Sequence, residues 1–208
     1  MKIVTPAVDK YIYSLLPKRD AILAEMEAHA EKHDVPIVGP AVGRLLAFLV
    51  TMTGTKRIFE MGSAIGYSTL WLARAAGPGA EIFYTDGNPE NAKRAQASFE
   101  RAGVADRIHV QVGNALDLLK KEPGEFDMIF NDVDKHYYPE VFHLAVPRVR
   151  SGGLFITDNS LWSGRVIKKS TNADTRGVQK FNKLVYDSKD LYPVIVPLRD
   201  GVAICRKS

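Results

Sequence analysis

Cysteine is almost absent from this chain of 208 residues, in which Cys205 stands alone. A single cysteine excludes an intrachain disulfide and a zinc site built from cysteines. Long apolar runs are absent as well, since none reaches the roughly 20 residues that span a bilayer. Residues 1–6 also lack the apolar core of about 7–15 residues that marks a signal peptide. We therefore expect a cytoplasmic protein with no membrane partner.

A strong excess of charge of one sign is also missing. Lys and Arg number 28 and Asp and Glu number 24, which gives a net charge of +4. The basic residues are scattered, and their longest runs are pairs such as Lys120-Lys121, whereas a nucleic-acid surface clusters them. A chain of this length most often forms one domain. We expect one domain over residues 1–208, with a helical cap segment at 1–54 and a core at 55–208.

The first quarter of the chain has the pattern of helices. Apolar residues recur at helical spacing in residues 5–34, which predicts two helices broken near Pro17. Pro36 and Pro40 bracket a predicted loop. An apolar helix is then predicted from Leu45 to Met52.

From residue 57 onward, short apolar runs alternate with helical segments. This alternation predicts an α/β fold with a parallel sheet covered on both faces. The predicted strands are Arg57–Met61, Glu81–Thr85, Arg107–Val112, Phe126–Phe130, Gly153–Thr157, Tyr192–Val196 and Val202–Cys205, with helices at 67–76, 89–101, 114–121, 136–149 and 174–188. The Asp200-Gly201 turn between the last two strands predicts that they form an antiparallel pair.

Ligands of such sheets bind beyond the carboxyl ends of the strands. Gly62 and Gly66 follow the first strand, where glycine lets the backbone turn tightly and approach a ligand. Asp86 follows the second strand, where a carboxylate can accept hydrogen bonds from ribose hydroxyls. Small residues at 113–115 follow the third. Together these features favour nucleoside binding, although each could also be a plain turn or a helix cap.

Acidic residues follow the fourth and fifth predicted strands. Asp132, Asp134 and Lys135 come after the fourth, and Asp158 and Asn159 come after the fifth. Because both groups directly follow apolar strands, we expect them to meet at one edge of the sheet. Carboxylate and amide oxygens suit Mg²⁺ or Ca²⁺ far better than zinc. The alternative is that these are solvated loop acids.

Taken together, the motifs resemble those of the cation-dependent O-methyltransferases that use S-adenosylmethionine. The group is the catechol and caffeoyl-coenzyme A type in its shorter bacterial form, and the resemblance covers residues 35–206. It rests on Glu60-Met61-Gly62 with Gly66-Tyr67-Ser68-Thr69, on Phe130-Asn131-Asp132-Val133-Asp134-Lys135, on Asp158-Asn159-Ser160-Leu161-Trp162-Ser163-Gly164, and on Asp200-Gly201-Val202. It implies a Rossmann-like fold with a seven-stranded, mostly parallel sheet, an antiparallel last strand and helices on both faces. It also implies a homodimer.

The resemblance further implies a role for each matching residue. Asp132, Asp158 and Asn159 match the metal ligands, with Mg²⁺, Mn²⁺ or Ca²⁺ as the cation. Lys135 matches the catalytic lysine, and Asp132 is expected to act beside it. Contacts with S-adenosylmethionine, whose product is S-adenosylhomocysteine, would come from Val38, Glu60, Gly62, Ser63, Ser68, Asp86, Ala115 and Asp132.

Three residues depart from the family's pattern. Asn114 stands where aspartate is frequent, Asn131 replaces an apolar residue, and Arg44 replaces a frequent glutamine. None of these changes removes a metal ligand or the lysine. The expected chemistry is therefore retained.

The expected reaction is methyl transfer to a hydroxyl of a catechol-like phenolic small molecule. A phenol hydroxyl titrates near pH 10 and is a poor nucleophile when protonated. A cation held by both vicinal oxygens would stabilise the anion, while Lys135 accepted the proton. One alternative is a tRNA wobble 5-hydroxyuridine O-methyltransferase, and another is an inactive nucleoside-binding module. Residues that determine acceptor specificity are expected in the segment before Val38 and in residues 163–175. Trp162 is expected either to line the substrate pocket or simply to pack against neighbouring side chains.

Overall fold

The computed structural model describes residues 4–208, and a seven-stranded sheet runs through this part of the chain. The strands are β1 (Arg57–Met61), β2 (Glu81–Asp86), β3 (Ile108–Val112), β4 (Phe126–Asn131), β5 (Val149–Thr157), β6 (Leu191–Val196) and β7 (Val202–Lys207). Their spatial order is β3-β2-β1-β4-β5-β7-β6. β1 to β5 pair in parallel, whereas β7 runs antiparallel to both β5 and β6. The predicted fold class is confirmed.

Eight α-helices surround the sheet within residues 4–208. They are α1 (Pro6–Ser14), α2 (Ala21–His33), α3 (Gly39–Thr53), α4 (Tyr67–Ala76), α5 (Pro89–Arg101), α6 (Ala115–Lys121), α7 (Tyr138–Ala145) and α8 (Ala173–Asp187). The break near Pro17 separates α1 from α2 as predicted. Asp20 caps α2, because its Oδ1 accepts hydrogen bonds from the backbone N–H groups of Ile22 and Leu23. Across the described chain, no helix combines the length and apolar character needed to cross a membrane.

The helix predicted at residues 136–149 is wrong at both ends. Residues 135–137 form a short 3₁₀ helix, α7 ends at Ala145, and a second 3₁₀ helix covers 146–148. Pro147 explains the early end, because proline has no N–H to donate and its ring clashes with the preceding turn. β5 therefore begins at Val149, four residues earlier than predicted.

The helix predicted from Leu45 to Met52 is too short at its start. α3 begins at Gly39, and Pro40 occupies its first turn instead of a loop. Proline is tolerated there because the first N–H groups of a helix have no partner within the helix. The predicted end at Gly54 holds, since Gly54 adopts φ 63° as the cap.

The core lies in two layers, one on each face of the sheet. Alternate residues of each strand point to opposite faces, so that Ile58 and Met128 join one buried cluster while Phe59 and Ile129 join the other. The first layer includes residues of α2 to α5, and the second includes residues of α6 to α8. Covering both faces leaves the strand ends as the place where polar side chains can meet.

Candidate active site

The loops that follow the five parallel strands meet at one edge of the sheet and enclose a cavity of about 380 Å³. Each strand end contributes to the wall, through Gly62 after β1, Asp86 as the last residue of β2, Ala115 after β3, Asp132 after β4 and Asp158 after β5. The structure thus brings the strand-end motifs together around one space. The cavity is the candidate active site.

The turn after β1 requires glycine for two reasons. Gly62 adopts φ 83°, a conformation that residues with a side chain rarely take. A Cβ atom at this position would also lie 2.7 Å from the backbone oxygen of Asp132. The turn therefore packs directly against the backbone that carries Asp132. It joins the nucleoside half of the cavity, which is the part lined by Gly62, Asp86 and Ala115, to the acidic half, which is the part lined by Asp132 and Asp158.

Asp86 is held firmly at the end of β2. Its Oδ2 accepts a hydrogen bond from the Ala64 N–H at 3.0 Å, and its Oδ1 accepts from the Asn88 N–H at 2.8 Å and from Asn91 Nδ2 at 3.1 Å. A carboxylate has about four acceptor positions. Asp86 can therefore still accept a hydrogen bond from a ribose hydroxyl.

Only half of the residues predicted to contact the methyl donor line the cavity. Gly62, Asp86, Ala115 and Asp132 do so. The other four do not contribute to the wall and are at most 6% exposed, namely Val38, Glu60, Ser63 and Ser68. The role of these eight residues in donor binding stays a prediction.

Glu60 is fully buried in β1. Its Oε2 accepts a hydrogen bond from the hydroxyl of Thr69, in the first turns of α4. Burial raises the pKa of Glu60 to about 7, although hydrogen bonds from neighbouring hydroxyls act in the opposite direction. The observed contact of this carboxyl ties β1 to α4.

Two aspartates, the buried Asp158 and the partly buried Asp132, line the acidic side of the cavity. Asp158 is 1% exposed, and within residues 4–208 neither of its carboxyl oxygens has a hydrogen-bond partner. Burial raises the pKa of Asp158, and the charge of Asp132 raises it further. Burial also raises the pKa of Asp132, while Lys135 opposes this effect. Positive charge placed between these two carboxylates would stabilise their ionised forms.

The donor set fits a divalent cation if Asn159 takes part. Across residues 4–208, no cluster of three or more His, Cys, Asp and Glu side chains is arranged to hold a metal. Asp132 and Asp158 supply two carboxylates, and Asn159, which also lines the cavity, would supply an amide oxygen. Oxygen ligands of this kind suit Mg²⁺, Mn²⁺ and Ca²⁺. The unpartnered oxygens of Asp158 are the structural observation that favours such a site.

Asp200 orients Asn159. The Nδ2 group of Asn159 donates to Asp200 Oδ2 at 3.4 Å, and Asp200 Oδ1 accepts a hydrogen bond from the backbone N–H of Ser163. The backbone of Asn159 is itself left-handed, with φ 55°. Because the amide nitrogen is turned towards Asp200, the amide oxygen remains available as a ligand.

Lys135 contacts Asp132 and lies near two aromatic rings. Its Nζ is 3.1 Å from Asp132 Oδ1 and donates a hydrogen bond to the backbone oxygen of Val133 at 3.3 Å. The same atom is 5.7 Å from the ring centres of Tyr138 and Trp162. Trp162 packs against the second core layer and is not part of the cavity wall. Of the two roles weighed for Trp162, packing is the one observed.

Two of the three departures from the family pattern have a clear place. Asn114 lines the cavity and also caps α6, since its Oδ1 accepts from the backbone N–H of Leu116 at 2.9 Å. Asn131 is buried, and its Nδ2 donates to Thr157 Oγ1 at 3.4 Å, which pairs the ends of β4 and β5. Arg44 lies in a separate groove between α2, α3 and α4.

Sequence reasoning missed Arg199 and Tyr137. Both line the cavity, and Arg199 Nη1 lies 3.6 Å from Asp158 Oδ2. The signal for Arg199 was its place directly before Asp200-Gly201, in a turn that returns to the sheet beside β5. Tyr137 follows Lys135 in the 3₁₀ helix after β4 and carried no comparable signal.

Comparison with known proteins gives matches over nearly the whole chain. A family model described as O-methyltransferase matches residues 16–208. A catechol O-methyltransferase of Niastella koreensis is 35% identical over 210 residues, which is 95% of each chain. A catechol O-methyltransferase of Mycobacterium tuberculosis is 34% identical over 172 residues, covering 81% of this chain and 78% of that protein.

A solved structure agrees in fold as well as in sequence. The crystal structure of an O-methyltransferase from Bacillus cereus in complex with SAH has a TM-score of 0.88 and 30% identity to this chain. The similarity covers 97% of both chains. It therefore extends over nearly the whole chain.

Proposed function

The chain belongs to the family of S-adenosylmethionine-dependent O-methyltransferases, and we propose that its acceptor is a catechol-like phenolic bound beside a divalent cation. Methyl transfer to oxygen follows from the family. The finer proposal concerns the acceptor and the cation. It is supported by the names of two relatives, both catechol O-methyltransferases, and by the chemistry of the cavity.

The observation that carries the proposal is the pair formed by partly buried Asp132 and buried Asp158, with Lys135 beside Asp132. These carboxyls occupy the same cavity as Gly62 and Asp86, the predicted contacts of the methyl donor. When bound, a divalent cation supplies Lewis-acid stabilisation to an acceptor oxygen that loses its proton. Vicinal hydroxyls would be preferred because they offer two ligand oxygens where a single phenol offers one.

The side chains of this protein then have separate tasks. Asp86 orients the ribose of the donor through its remaining acceptor position. Lys135 accepts the hydroxyl proton at Nζ, and Asp132 holds that nitrogen at 3.1 Å. The acceptor oxygen forms a bond to the methyl carbon as the carbon–sulfur bond breaks, which leaves S-adenosylhomocysteine. Holding the two reactants in line contributes roughly 7–11 kcal/mol.

The tRNA alternative gains no support. The charged residues in the cavity wall are four aspartates and two basic residues, namely Asp86, Asp132, Asp134, Asp158, Lys135 and Arg199. A wall with this excess of acid does not attract a polyanion. Neither of the two relatives named above is described as acting on RNA.

The test is methyl transfer from S-adenosylmethionine to caffeate, measured with Mg²⁺ and again with excess chelator. We expect transfer that the chelator abolishes, and none to p-coumarate, which has a single hydroxyl. Methyl transfer that continues in the presence of excess chelator would contradict the proposed dependence on a divalent cation. No transfer from protein shown to bind the donor would contradict the acceptor class, and hydroxyuridine-containing tRNA would be tried next.

Lys135→Ala tests the role given to the lysine. Loss of a general base typically lowers turnover by about 10²–10⁴-fold, and the affinity for S-adenosylhomocysteine should change little. Lys93→Ala, an exposed change on α5, is the matched control and should affect neither quantity. An equal loss of donor affinity in Lys135→Ala would show that the lysine supports the donor site instead.

A further inference from the structure

Arg199 occupies a turn position that favours glycine. It follows Leu198 in the connection between β6 and β7, a turn closed by the hydrogen bond from the Gly201 N–H to the Leu198 oxygen at 2.9 Å. Arg199 has φ 53°, in the left-handed region that is sterically costly for residues with a Cβ atom. Turn formation alone therefore gives no reason for arginine here, and the reason has to be sought in what its side chain contacts.

The Arg199 side chain reaches into the cavity and ends at Asp158. Nη1 lies 3.6 Å from Asp158 Oδ2, and Arg199 is 38% exposed while Asp158 is 1% exposed. Within residues 4–208, Arg199 is the only basic residue with a nitrogen within 4 Å of that carboxylate. The distance is too long for a good hydrogen bond. The contact is therefore one of charge and can be broken without leaving a buried donor unpaired.

We propose that Arg199 is a tethered cation that competes with the divalent cation for Asp158 and so sets the affinity of the site for metal. This inference rests on the proposed function, because it assumes a cation between Asp132 and Asp158. A guanidinium and a divalent ion beside one carboxylate repel each other strongly in a partly buried site. Metal binding therefore requires the guanidinium to move away. The exposed part of this long side chain gives it room to turn towards solvent.

The competition has a chemical consequence for the enzyme. Arg199 supplies positive charge to the acidic pair when no metal is bound, and it makes metal binding weaker than the two carboxylates alone would allow. The site then selects for a cation with enough charge density to displace a guanidinium. Monovalent ions would not meet that requirement.

The direct test is a titration of the whole protein with Mn²⁺, following the electron paramagnetic resonance signal of free Mn²⁺ without donor or acceptor. Arg199→Gln and Arg199→Gly should bind Mn²⁺ at least tenfold more tightly than the unchanged protein, a difference of about 1.4 kcal/mol. Arg199→Lys keeps the charge and should stay close to the unchanged protein. Arg199→Gly is expected to fold well, because glycine accepts the backbone conformation of this turn.

Two further variants serve as controls. Arg101→Gln removes an exposed positive charge on α5 that pairs with Glu25 and should leave Mn²⁺ affinity unchanged. Asp158→Asn should weaken Mn²⁺ binding strongly, which identifies the titrated site as this one. If Asp158→Asn bound Mn²⁺ as the unchanged protein does, the ion would lie elsewhere and the inference would be overturned.

The remaining outcomes separate this inference from the proposed function. Equal Mn²⁺ affinity in the unchanged protein and both charge-removing variants would overturn the role of Arg199 and leave the cation site intact. In that case, if Arg199→Gln raised the KM for caffeate but not the KM for catechol, relative to the unchanged protein, the guanidinium would be assigned to the acceptor's carboxylate. Absence of Mn²⁺ binding in every protein would overturn the inference together with the proposed cation.

Discussion

Glu60→Gln should stabilise the protein at pH 8 and have a much smaller effect at pH 5. The pKa of Glu60 is raised from 4.5 to about 7 by burial, whereas in the unfolded chain it has its ordinary value. Between the two pKa values of Glu60, 4.5 in the unfolded chain and about 7 in the folded protein, the unfolded state binds fewer protons than the folded state. The free energy of unfolding therefore falls as the pH rises through this range. Each pKa unit corresponds to about 1.4 kcal/mol. The shift therefore costs ~3 kcal/mol above pH 7, and glutamine, which never ionises, avoids this cost.

Chemical denaturation at pH 5, 6, 7 and 8 measures the effect. The difference in free energy of unfolding between Glu60→Gln and the unchanged protein should grow by ~2–3 kcal/mol from pH 5 to pH 8. Any constant change in hydrogen bonding to Thr69 shifts all four values equally and does not alter this slope. Asp132 and Asp158 are present in both proteins, so their pH dependence cancels in the difference, apart from the repulsion between Asp132 and Glu60 that helps to raise the pKa of Glu60.

Glu100→Gln is the matched control, because Glu100 is an exposed carboxyl on α5. Its difference from the unchanged protein should stay nearly constant over the same pH range. A flat difference curve for Glu60→Gln would refute the reasoning, since it would mean that the buried carboxyl carries no extra cost of ionisation.

Two further predictions concern the loops of the cavity. Gly62→Ala should lower both stability and affinity for S-adenosylhomocysteine. Its control is Gly54→Ala, which has φ 63° and no atom within 4 Å of the added Cβ and should cost only the roughly 1–2 kcal/mol of a left-handed residue. Thermal unfolding measures the stability and calorimetric titration the affinity, and equal effects of the two substitutions would exclude the contact with Asp132 as the cause. Asp200→Ala removes the hydrogen bonds that Asp200 accepts from Asn159 Nδ2 and from the Ser163 backbone N–H. It should weaken Mn²⁺ binding severalfold, because the Asn159 amide becomes free to rotate. Unchanged Mn²⁺ affinity would show that Asp200 does not position this ligand.

The strand-end part of the site could be predicted from sequence because its residues stand next to apolar strands. Asp132 and Asp158 directly follow buried segments of β4 and β5, and parallel strands carry such residues to a common edge. The order of elements, including the antiparallel last pair, was predictable for the same local reason. Neither inference needed knowledge of a distant contact.

One miss depends on a contact between residues that lie far apart in the sequence, and another on a local signal that was masked. Arg199 meets Asp158 only because β7 lies beside β5, and no local pattern contains that neighbour relation. The misplaced start of β5 had a local signal in Pro147, but Arg150 and two glycines hid the strand. The burial of Glu60 does follow from the sequence, since Glu60 stands two residues after Ile58 and so faces the same covered side of the sheet.

The position of β7 between β5 and β6 determines the order in which the site can be assembled during synthesis. β6 is made before β7, yet within residues 4–208 it pairs with β7 alone, so it has no place in the sheet until β7 emerges. Until then β5 presents an unpaired edge, the kind of surface through which partly made chains aggregate. Arg199 and Asp200 arrive with the same hairpin. A nascent chain can therefore complete its nucleoside half while its acidic half still lacks the side chains that orient and balance it.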